Sequence, residues 1–257
     1  MKRVVVTGAG GGIGAALARR FAADGATVVV NDLDPDAART VAAEIGGIAV
    51  PGDAASEQDV RALVGTAFAE LGGIDLFCSN AGVLSSGDET TPDAQWQRDF
   101  GVNVMSHVYV TRALLPRWLD GDTPKRLLVT VSAAGLLTLL GSATYSVTKH
   151  AALAYAEWLR ATYAHRGLIV QALCPQGVRT DMLTRGNDAG SGSAALLAEG
   201  ALAPEAVADR VAASLDGGEF LILPHPEVAD YYRLRASDPD RWLGGMNKMQ
   251  RGFEAAR

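Results

Sequence analysis

The chain has 257 residues, of which 48% are hydrophobic and 20% charged, and its formal net charge is −6. These values are ordinary for a globular protein, and the scattered lysines and arginines argue against a nucleic-acid-binding face. The apolar run near the first residue is too short for a signal peptide, and no later stretch reaches membrane-spanning length. We therefore expect no nucleic-acid or membrane partner and a cytoplasmic location.

Strand-like and helix-like segments alternate with short gaps through about the first 225 residues. Seven segments rich in valine, isoleucine and leucine are predicted strands: 3–7, 27–31, 48–51, 76–79, 126–131, 169–174 and 220–223. Nearly continuous apolar strands are typical of a sheet covered on both faces, and strict alternation with helices predicts a parallel sheet. Gly25, Gly46 and Gly72 stand where helices are expected to end. The sequence predicts an α/β fold, a single Rossmann-like doubly wound domain over 1–257 with its core at 3–224.

Two stretches interrupt this alternation. Residues 184–204 are rich in glycine, serine and alanine and follow the sixth strand at the carboxyl edge of the sheet. We expect a mobile lid over about 180–204, with an uninvolved surface loop as the alternative. In the tail, residues 225–257, one helical face is apolar and is expected to pack on its own subunit or on a partner subunit. That face carries Trp242, Met246, Met249 and Phe253.

The first strand runs directly into a glycine-rich turn, TGAGGGIG, which is followed at once by a helix. Glycines there permit a tight turn and close backbone approach to phosphate, and the helix N-terminus favours a pyrophosphate. Asp32 closes the second strand, where a carboxylate accepts hydrogen bonds from ribose hydroxyls and repels a 2′-phosphate. The alternative role of Asp32, capping the next helix, can be filled by Asp34. We therefore expect NAD(H) rather than NADP(H).

Tyr145 and Lys149 are four residues apart in a helix-like segment, and Ser132 ends a strand-like run 13 residues upstream. A spacing of four places both side chains on one helix face. An ammonium beside a phenol favours the phenolate, so Tyr145 is predicted to act as general acid or base towards an alcohol or carbonyl oxygen. Ser132 can hydrogen-bond the same oxygen. Such a pair also occurs on surface helices, so the interpretation depends on the surrounding motifs.

The cysteines and histidines give no sign of a metal site or a disulfide. Cys78 and Cys174 each lie near the end of a predicted strand and are expected to be free, buried, small hydrophobic residues. The four histidines have no ligand spacing with one another or with cysteine, so we expect no metal.

Seven motifs occur in one order along the chain: TGAGGGIG, Asp53, SNAG at 79–82, Asn103, Ser132, Tyr145-x-x-x-Lys149 and PQGVRT at 175–180. Together they resemble the classical short-chain dehydrogenase/reductase family over about residues 3–224. The resemblance implies a seven-stranded sheet of order 3-2-1-4-5-6-7 and a homodimer or homotetramer.

The resemblance also implies roles for individual residues. Tyr145 transfers a proton to or from the substrate oxygen, Ser132 positions that oxygen, Lys149 holds the nicotinamide ribose and lowers the pKa of Tyr145, and Asn103 anchors a water. Besides Tyr145 and Lys149, the implied cofactor-binding residues are Gly8, Gly11, Gly12, Ile13 and Gly14 at the pyrophosphate, Asp32 and Leu33 at the ribose, Asp53 and Ala54 at the adenine, Asn80, Ala81 and Gly82 in the groove, and Pro175, Val178 and Thr180 at the carboxamide.

The chain departs from the family pattern at three places. Ser79 replaces the usual asparagine, which we expect to affect sheet packing more than chemistry. Gln176 stands where glycine is usual, with Gly177 one place later, so the nicotinamide-side loop is expected to be shifted. The chain also continues for more than 30 residues after the seventh strand, so its tail is expected to reshape or block a subunit interface.

The substrate-facing positions indicate a neutral, fairly hydrophobic secondary alcohol or ketone, because all but one are apolar: Leu84, Ser85, Ala134, Leu136, Leu137, Met182 and Leu183. The alternative is that several of them belong to the core. Three functions compete: an NAD-dependent alcohol dehydrogenase or ketoreductase, a non-catalytic NAD(H)-binding sensor or scaffold, and a sugar-nucleotide epimerase or dehydratase. The retained serine, tyrosine and lysine favour the first over the second, and the third usually has a longer C-terminal substrate domain.

Overall fold

A computed structural model describes residues 2–119, 123–187, 197–198 and 200–255 of the chain. Seven parallel strands form one sheet in the order β3-β2-β1-β4-β5-β6-β7. The strands are β1 (Arg3–Thr7), β2 (Thr27–Asn31), β3 (Ile48–Ala49), β4 (Leu76–Ser79), β5 (Lys125–Thr130), β6 (Leu168–Leu173) and β7 (Leu221–Ile222). The predicted fold class and strand order are confirmed.

Helices connect the strands and cover both faces of the sheet. The described helices are α1 (Gly12–Ala23), α2 (Pro35–Ile45), α3 (Glu57–Leu71), α4 (Asp93–Phe100), α5 (Ser106–Trp118), α6 (Ala143–Tyr163), α7 (Asp181–Asn187), α8 (Pro204–Ser214), α9 (Glu227–Ser237) and α10 (Pro239–Ala255). A π-helical turn (Gly101–Met105) joins α4 to α5, and short 3₁₀ turns follow β5 (Ala133–Gly135) and α6 (Ala164–Arg166).

The core lies in two layers, one on each face of the sheet. In β1, Val5 joins a cluster with α3, α5 and α6, whereas Val4 and Val6 join a second cluster with α1, α2 and α8. Successive side chains of a strand point to opposite faces, so an uninterrupted run of valines supplies both layers at once.

Glycines end two helices as predicted. Gly46 after α2 and Gly72 after α3 have φ angles of +63° and +69°, a left-handed conformation that most other residues adopt only at a cost. Because the seven strands are parallel, their carboxyl ends lie at one edge of the sheet.

The tail is helical, as predicted. Trp242 of α10 packs on the first core cluster, whereas Leu243 and Met249 are 58% and 38% exposed. The tail thus covers its own subunit through Trp242 while leaving other apolar side chains at the surface. Residues 188–196 and 199 of the predicted lid lie outside the described residues.

Three further expectations concern absences and cysteines. Cys78 and Cys174 are free and buried, as predicted. Over the described part of the chain, no cluster of histidine, cysteine and acidic side chains is arranged to hold a metal ion. No helix in that same part combines the length and apolar character needed to cross a membrane.

Candidate active site

The glycine-rich turn after β1 has no room for a side chain at Gly8 or Gly14. Gly8 has a φ of +62°, and a Cβ added there would lie 2.9 Å from the Cα of Ala81. A Cβ on Gly14 would lie 2.0 Å from the carbonyl oxygen of Gly8, so α1 approaches the turn as closely as its backbone allows. At Gly11 a Cβ would meet no atom within 4 Å. The turn therefore leaves bare backbone and open space at the N-terminus of α1, which fits a phosphate group.

Asn80 fastens this turn to the neighbouring strands. Its side-chain amide donates to the carbonyls of Thr7 and Gly8 at 3.0 and 3.3 Å, and its Oδ1 accepts from the hydroxyl of Thr130 at 3.0 Å. The Thr7 hydroxyl in turn accepts from the backbone N–H groups of Asn80 and Ala81 at 3.0 and 3.1 Å. Sequence reasoning missed Thr7 and Thr130, although each is the polar last residue of an apolar strand.

Asp32 lies against the turn rather than on the following helix. Its Oδ2 accepts from the N–H of Gly10 at 2.8 Å and its Oδ1 from the N–H of Asp34 at 3.0 Å. Asp34 caps α2 by accepting from Asp36 and Ala37. The capping role thus belongs to Asp34, and the carboxylate of Asp32 stands beside the glycine turn.

The residues that follow β2 and β3 include Leu33, expected at the ribose, and Asp53 and Ala54, expected at the adenine. Leu33 is 72% exposed, while Ala54 is buried. Asp53 Oδ1 accepts from the N–H of Ala55 at 2.8 Å, and the N–H of Asp53 donates to Asp59 Oδ2 at 2.9 Å. Leu33 is exposed, and Asp53 is held by hydrogen bonds to Ala55 and Asp59, so this end of the groove is open to solvent.

Tyr145 and Lys149 lie one turn apart on α6, and both side chains are buried. The Nζ of Lys149 is 5.6 Å from the centroid of the Tyr145 ring and donates to the carbonyl of Thr130 at 3.1 Å. Ser132 follows β5, where its Oγ donates to the carbonyl of Pro175 at 3.4 Å and accepts from the N–H of Ala134 at 3.1 Å. The structure therefore brings these three residues together at the end of β5.

Asn103 joins this group from the π-helical turn. Its Oδ1 accepts from the N–H of Val83 at 2.9 Å, and its Nδ2 donates to the carbonyl of Val83 and to the hydroxyl of Thr148, both at 3.0 Å. A Cβ added at Gly82 would lie 3.3 Å from both Asn103 Oδ1 and Lys149 Nζ, so the two side chains meet over a bare glycine. Single π turns are frequent at functional sites.

Burial dominates the protonation of the tyrosine and the lysine. Burial raises the pKa of Tyr145, and a hydrogen bond with Ser132 opposes that shift. Burial also lowers the pKa of Lys149 from its usual 10.5 to about 8. The pKa of Tyr145 is therefore raised rather than lowered as expected, because removing the phenolate from water is the largest influence on it.

The loop after β6 is held from three sides. The carbonyl of Pro175 accepts from the N–H of Ala133 at 2.8 Å, and the N–H of Gln176 donates to Nδ1 of His225 at 3.2 Å. A Cβ added at Gly177 would lie 1.9 Å from the carbonyl oxygen of Leu197. The glycine that this loop needs is thus at 177, which accounts for Gln176 at the preceding position.

Thr180, the last of the carboxamide-side residues, lies beside the glycine turn. Val178 is buried and pairs with Leu202, and Thr180 approaches Gly12, whose added Cβ would be 3.0 Å from the threonine methyl group. The loops after β1 and β6 therefore face each other across the carboxyl edge, as a groove for one elongated ligand requires.

Several expected substrate-facing residues belong to the interior. Leu136 and Leu137 are part of the first core cluster, and Ala134 is 7% exposed. Ser85 is buried and donates its hydroxyl to Asp99. Their burial agrees with the alternative expectation, that several of these residues belong to the core. Met182 is 40% exposed, and Leu84 and Leu183 are half-buried.

A buried carboxylate network beside Tyr145 escaped the sequence analysis. Asp99 is fully buried; its Oδ1 accepts from Ser85 at 3.0 Å and from Arg98, and its Oδ2 accepts from Thr144 at 2.7 Å. The network joins α4, the loop after β4 and the first turn of α6. The sequence offers no signal for it, because Asp99 is one of many acidic residues in helical segments.

Ser79 has a structural partner away from the reaction centre. Its hydroxyl lies 2.7 Å from Nδ1 of His107 on α5, and both residues are buried. Burial lowers the pKa of His107 to about 3, so the ring is neutral at physiological pH. The expectation that Ser79 serves packing agrees with this contact between β4 and α5.

Comparisons with known proteins agree with this geometry. A family model described as short chain dehydrogenase matches residues 2–190. The chain is 37% identical over 252 residues to 1-deoxy-11-beta-hydroxypentalenate dehydrogenase of Streptomyces exfoliatus, covering 94% of this chain and 88% of that protein. It is 34% identical over 186 residues to meso-2,3-butanediol dehydrogenase of Serratia marcescens, covering 70% and 71%. A short chain dehydrogenase/reductase from Burkholderia phymatum, crystallised with NAD, superposes with a TM-score of 0.85 at 28% identity, covering 93% and 94%.

Proposed function

This chain belongs to the classical short-chain dehydrogenase/reductase family, and from that membership we propose that it is an NAD(H)-dependent oxidoreductase interconverting a neutral, fairly hydrophobic secondary alcohol and its ketone. Two of the relatives named above are dehydrogenases whose names specify hydroxylated substrates, a hydroxylated carboxylate in one and a diol in the other. The observation that carries the proposal is the meeting of Ser132, Tyr145 and Lys149 at the end of β5, beside the bare glycine turn.

In the proposed reaction, Tyr145 holds the transferable proton at the substrate oxygen. During alcohol oxidation its phenolate accepts the hydroxyl proton, and during ketone reduction its phenol returns that proton. Ser132 donates a hydrogen bond to the same oxygen, which fixes its position and supports negative charge as it develops. The burial of both side chains strengthens these interactions because little water competes for them.

Lys149 has two assigned tasks. Its ammonium is held by the carbonyl of Thr130, which leaves its remaining donors for the nicotinamide ribose hydroxyls. Its charge also stabilises the phenolate of Tyr145 once that anion forms. Asn103 secures the loop after β4 through Val83 and, by the family resemblance, anchors a water next to Lys149.

The dinucleotide would be held along the carboxyl edge. We assign the pyrophosphate to Gly8, Gly11, Gly12, Ile13 and Gly14, the adenosine half to Asp32, Leu33, Asp53 and Ala54, the groove floor to Asn80, Ala81 and Gly82, and the carboxamide to Pro175, Val178 and Thr180. A bound NAD(H) supplies the hydride acceptor or donor for the substrate carbon. The Asp32 carboxylate beside Gly10 favours ribose hydroxyls over a 2′-phosphate, which supports NAD(H).

The pairing of Arg98 supports a neutral substrate. Arg98, the cation beside the loop after β4, is already paired with Asp99 and bonded to Ser85, so it offers little to a substrate anion. Leu84, Met182 and Leu183 remain as apolar surface close to the loops that carry the site. A hydrophobic secondary alcohol suits these surroundings.

A homodimer or homotetramer in the cytoplasm completes the proposal. The unpaired, buried cysteines suit a reducing compartment, and the family resemblance supports the assembly. Light scattering coupled to size exclusion measures the assembly, and a monomeric mass at micromolar concentration contradicts it.

The deciding experiment measures NADH formation from NAD with a panel of secondary alcohols that includes cyclohexanol, 2-octanol and meso-2,3-butanediol. We expect turnover with the apolar alcohols and little with hydroxy acids. NAD binding without turnover of any alcohol would instead identify a sensor or scaffold. Titration of NADH by its fluorescence in the same preparation separates these two outcomes.

A further inference from the structure

The tail contacts the loop after β6 through His225. This side chain is 4% exposed, and its Nδ1 accepts the backbone N–H of Gln176 at 3.2 Å. His225 therefore holds the backbone of Gln176 through one ring nitrogen. Gln176 lies directly after Pro175, whose carbonyl accepts from the Ser132 hydroxyl.

The tail reaches the turn after β5 through Arg235 of α9. One guanidinium nitrogen donates to the carbonyl of Leu136 at 3.0 Å, and another lies 3.3 Å from Nε2 of His150. The Nδ1 of His150 lies 2.8 Å from the carbonyl of Ser146, on the helix that carries Tyr145 and Lys149. Arg235 therefore joins the turn that begins at Ser132 to α6.

The two contacts act on one structural unit. The N–H of Ala133 donates to the carbonyl of Pro175 at 2.8 Å, so the turns after β5 and β6 are bonded to each other beside Ser132. His225 fixes one of these turns and Arg235 the other. The hydrogen bonds of Arg235 go to the carbonyl of Leu136 and the side chain of His150, so it acts on the site through these two residues rather than by direct contact.

We propose that His225 and Arg235 are positioning residues through which the C-terminal tail sets the placement of Ser132 and of the nicotinamide-side turn. This inference rests on the proposed function, in which Ser132 aligns the substrate oxygen. Catalysis is sensitive to such placement, since a misplacement of about 1 Å can cost on the order of 100-fold in rate. The tail thus takes part in turnover without touching the substrate.

Substitutions that keep the shape of the tail isolate its hydrogen bonds. His225→Asn retains an acceptor near the place of Nδ1, whereas His225→Gln moves the acceptor one bond outward. Arg235→Met keeps the apolar stem and removes the donors. Arg233→Met is the matched control, because Arg233 lies on the same helix with a 75% exposed side chain and pairs with Asp230.

Hydrogen–deuterium exchange of the NADH-saturated protein measures directly how well the backbone amides of the two turns are protected. We expect roughly tenfold faster exchange or more at the Gln176 amide in His225→Gln and across 133–137 in Arg235→Met. His225→Asn and Arg233→Met should exchange like the wild type. Unchanged exchange in both loss variants, or equal acceleration in the Arg233 control, overturns the inference.

Turnover of the best alcohol from the panel provides the second readout. We expect kcat to fall about 10- to 100-fold in His225→Gln and Arg235→Met, with the substrate KM and the NADH dissociation constant within about threefold of wild type. His225→Asn should restore most of kcat. Unchanged kcat in folded loss variants contradicts the positioning role. If the wild type turns over no alcohol, the proposed function fails, and the exchange experiment still decides whether the tail holds the two turns.

Discussion

The ammonium of Lys149 donates to the carbonyl of Thr130 at 3.1 Å while it lies 5.6 Å from the centroid of the Tyr145 ring. Thr130 ends β5, two residues before Ser132. One lysine therefore links the helix that carries the tyrosine to the strand that presents the serine. This contact fixes the relative position of the two groups that we assign to the substrate oxygen.

Removing the hydroxyl of Tyr145 should separate chemistry from binding. In Tyr145→Phe we expect turnover of secondary alcohols to fall by about 1,000-fold or more, because no other group is assigned to move the proton. NADH affinity, followed by fluorescence titration, should stay within about threefold of wild type. Full activity in this variant would contradict the assignment of Tyr145.

The buried lysine predicts how stability depends on pH. Since burial lowers the pKa of Lys149 from 10.5 to about 8, the unfolded chain holds a proton that the folded chain has lost between those pH values. The free energy of unfolding should therefore rise with pH in that window, by on the order of 1 kcal/mol per pH unit from this residue.

Lys149→Met provides the comparison for this effect. Urea unfolding should show the free energy of unfolding of the wild type rising relative to that of the variant between about pH 8 and pH 10. The comparison is needed because burial raises the pKa values of Cys78 and Cys174, which makes stability fall with pH in both proteins. The raised pKa of Tyr145 keeps that side chain protonated in the folded state over most of this range. Parallel pH profiles for variant and wild type would show that the ammonium is not destabilised by burial.

Asp32 predicts the choice of cofactor. We expect kcat/KM with NAD to exceed that with NADP by on the order of 100-fold, and Asp32→Ala to narrow the ratio at least tenfold by removing repulsion of the 2′-phosphate. Asp34→Ala is the control, because Asp34 caps α2 and should change stability rather than the ratio. A wild-type preference for NADP would be incompatible with this role.

Replacing two glycines of the same turn, Gly14 and Gly11, by alanine should change the stability of the protein to different extents. Gly14→Ala would place a Cβ 2.0 Å from the Gly8 carbonyl, so α1 must move. We expect a loss of more than about 2 kcal/mol of stability together with weaker NADH binding. The Cβ that Gly11→Ala adds would meet no protein atom within 4 Å, so this substitution should lower the stability by about 1 kcal/mol or less. Thermal and urea unfolding compare the stabilities of the two variants. Similar losses of stability in both would mean that the close approach of α1 to the turn does not cause the loss in Gly14→Ala.

The Asp99 network predicts a large effect from one buried charge. Asp99→Leu leaves Thr144 and Ser85 without an acceptor in a fully buried place, and we expect destabilisation of about 3–5 kcal/mol. Asp99→Asn keeps an oxygen acceptor and should lose less stability than Asp99→Leu. Urea unfolding measures both, and an Asp99→Leu protein as stable as wild type would show that the network contributes little.

The sequence was most informative where structure depends on neighbouring residues. The seven strands were predicted to within one or two residues at their ends, and the glycines at helix ends were predicted correctly, because apolar runs and left-handed glycines are set by local chemistry and by the need to cover both sheet faces. The order of the strands, also confirmed, came from the family resemblance. The spacing of Tyr145 and Lys149 likewise placed them on one helix face. Motif order was enough to identify the family.

The tertiary structure decided what depends on distant parts of the chain. Gln176 donates a hydrogen bond to His225, 49 residues away, and Arg235 donates one to Leu136, 99 residues away. No local sequence pattern predicts either contact. Burial reversed the expected shift of the Tyr145 pKa and placed Leu136 in the core. A sequence determines which groups are present and where strands end, whereas solvent exclusion and long-range hydrogen bonds, which set protonation and placement, exist only once the chain has packed.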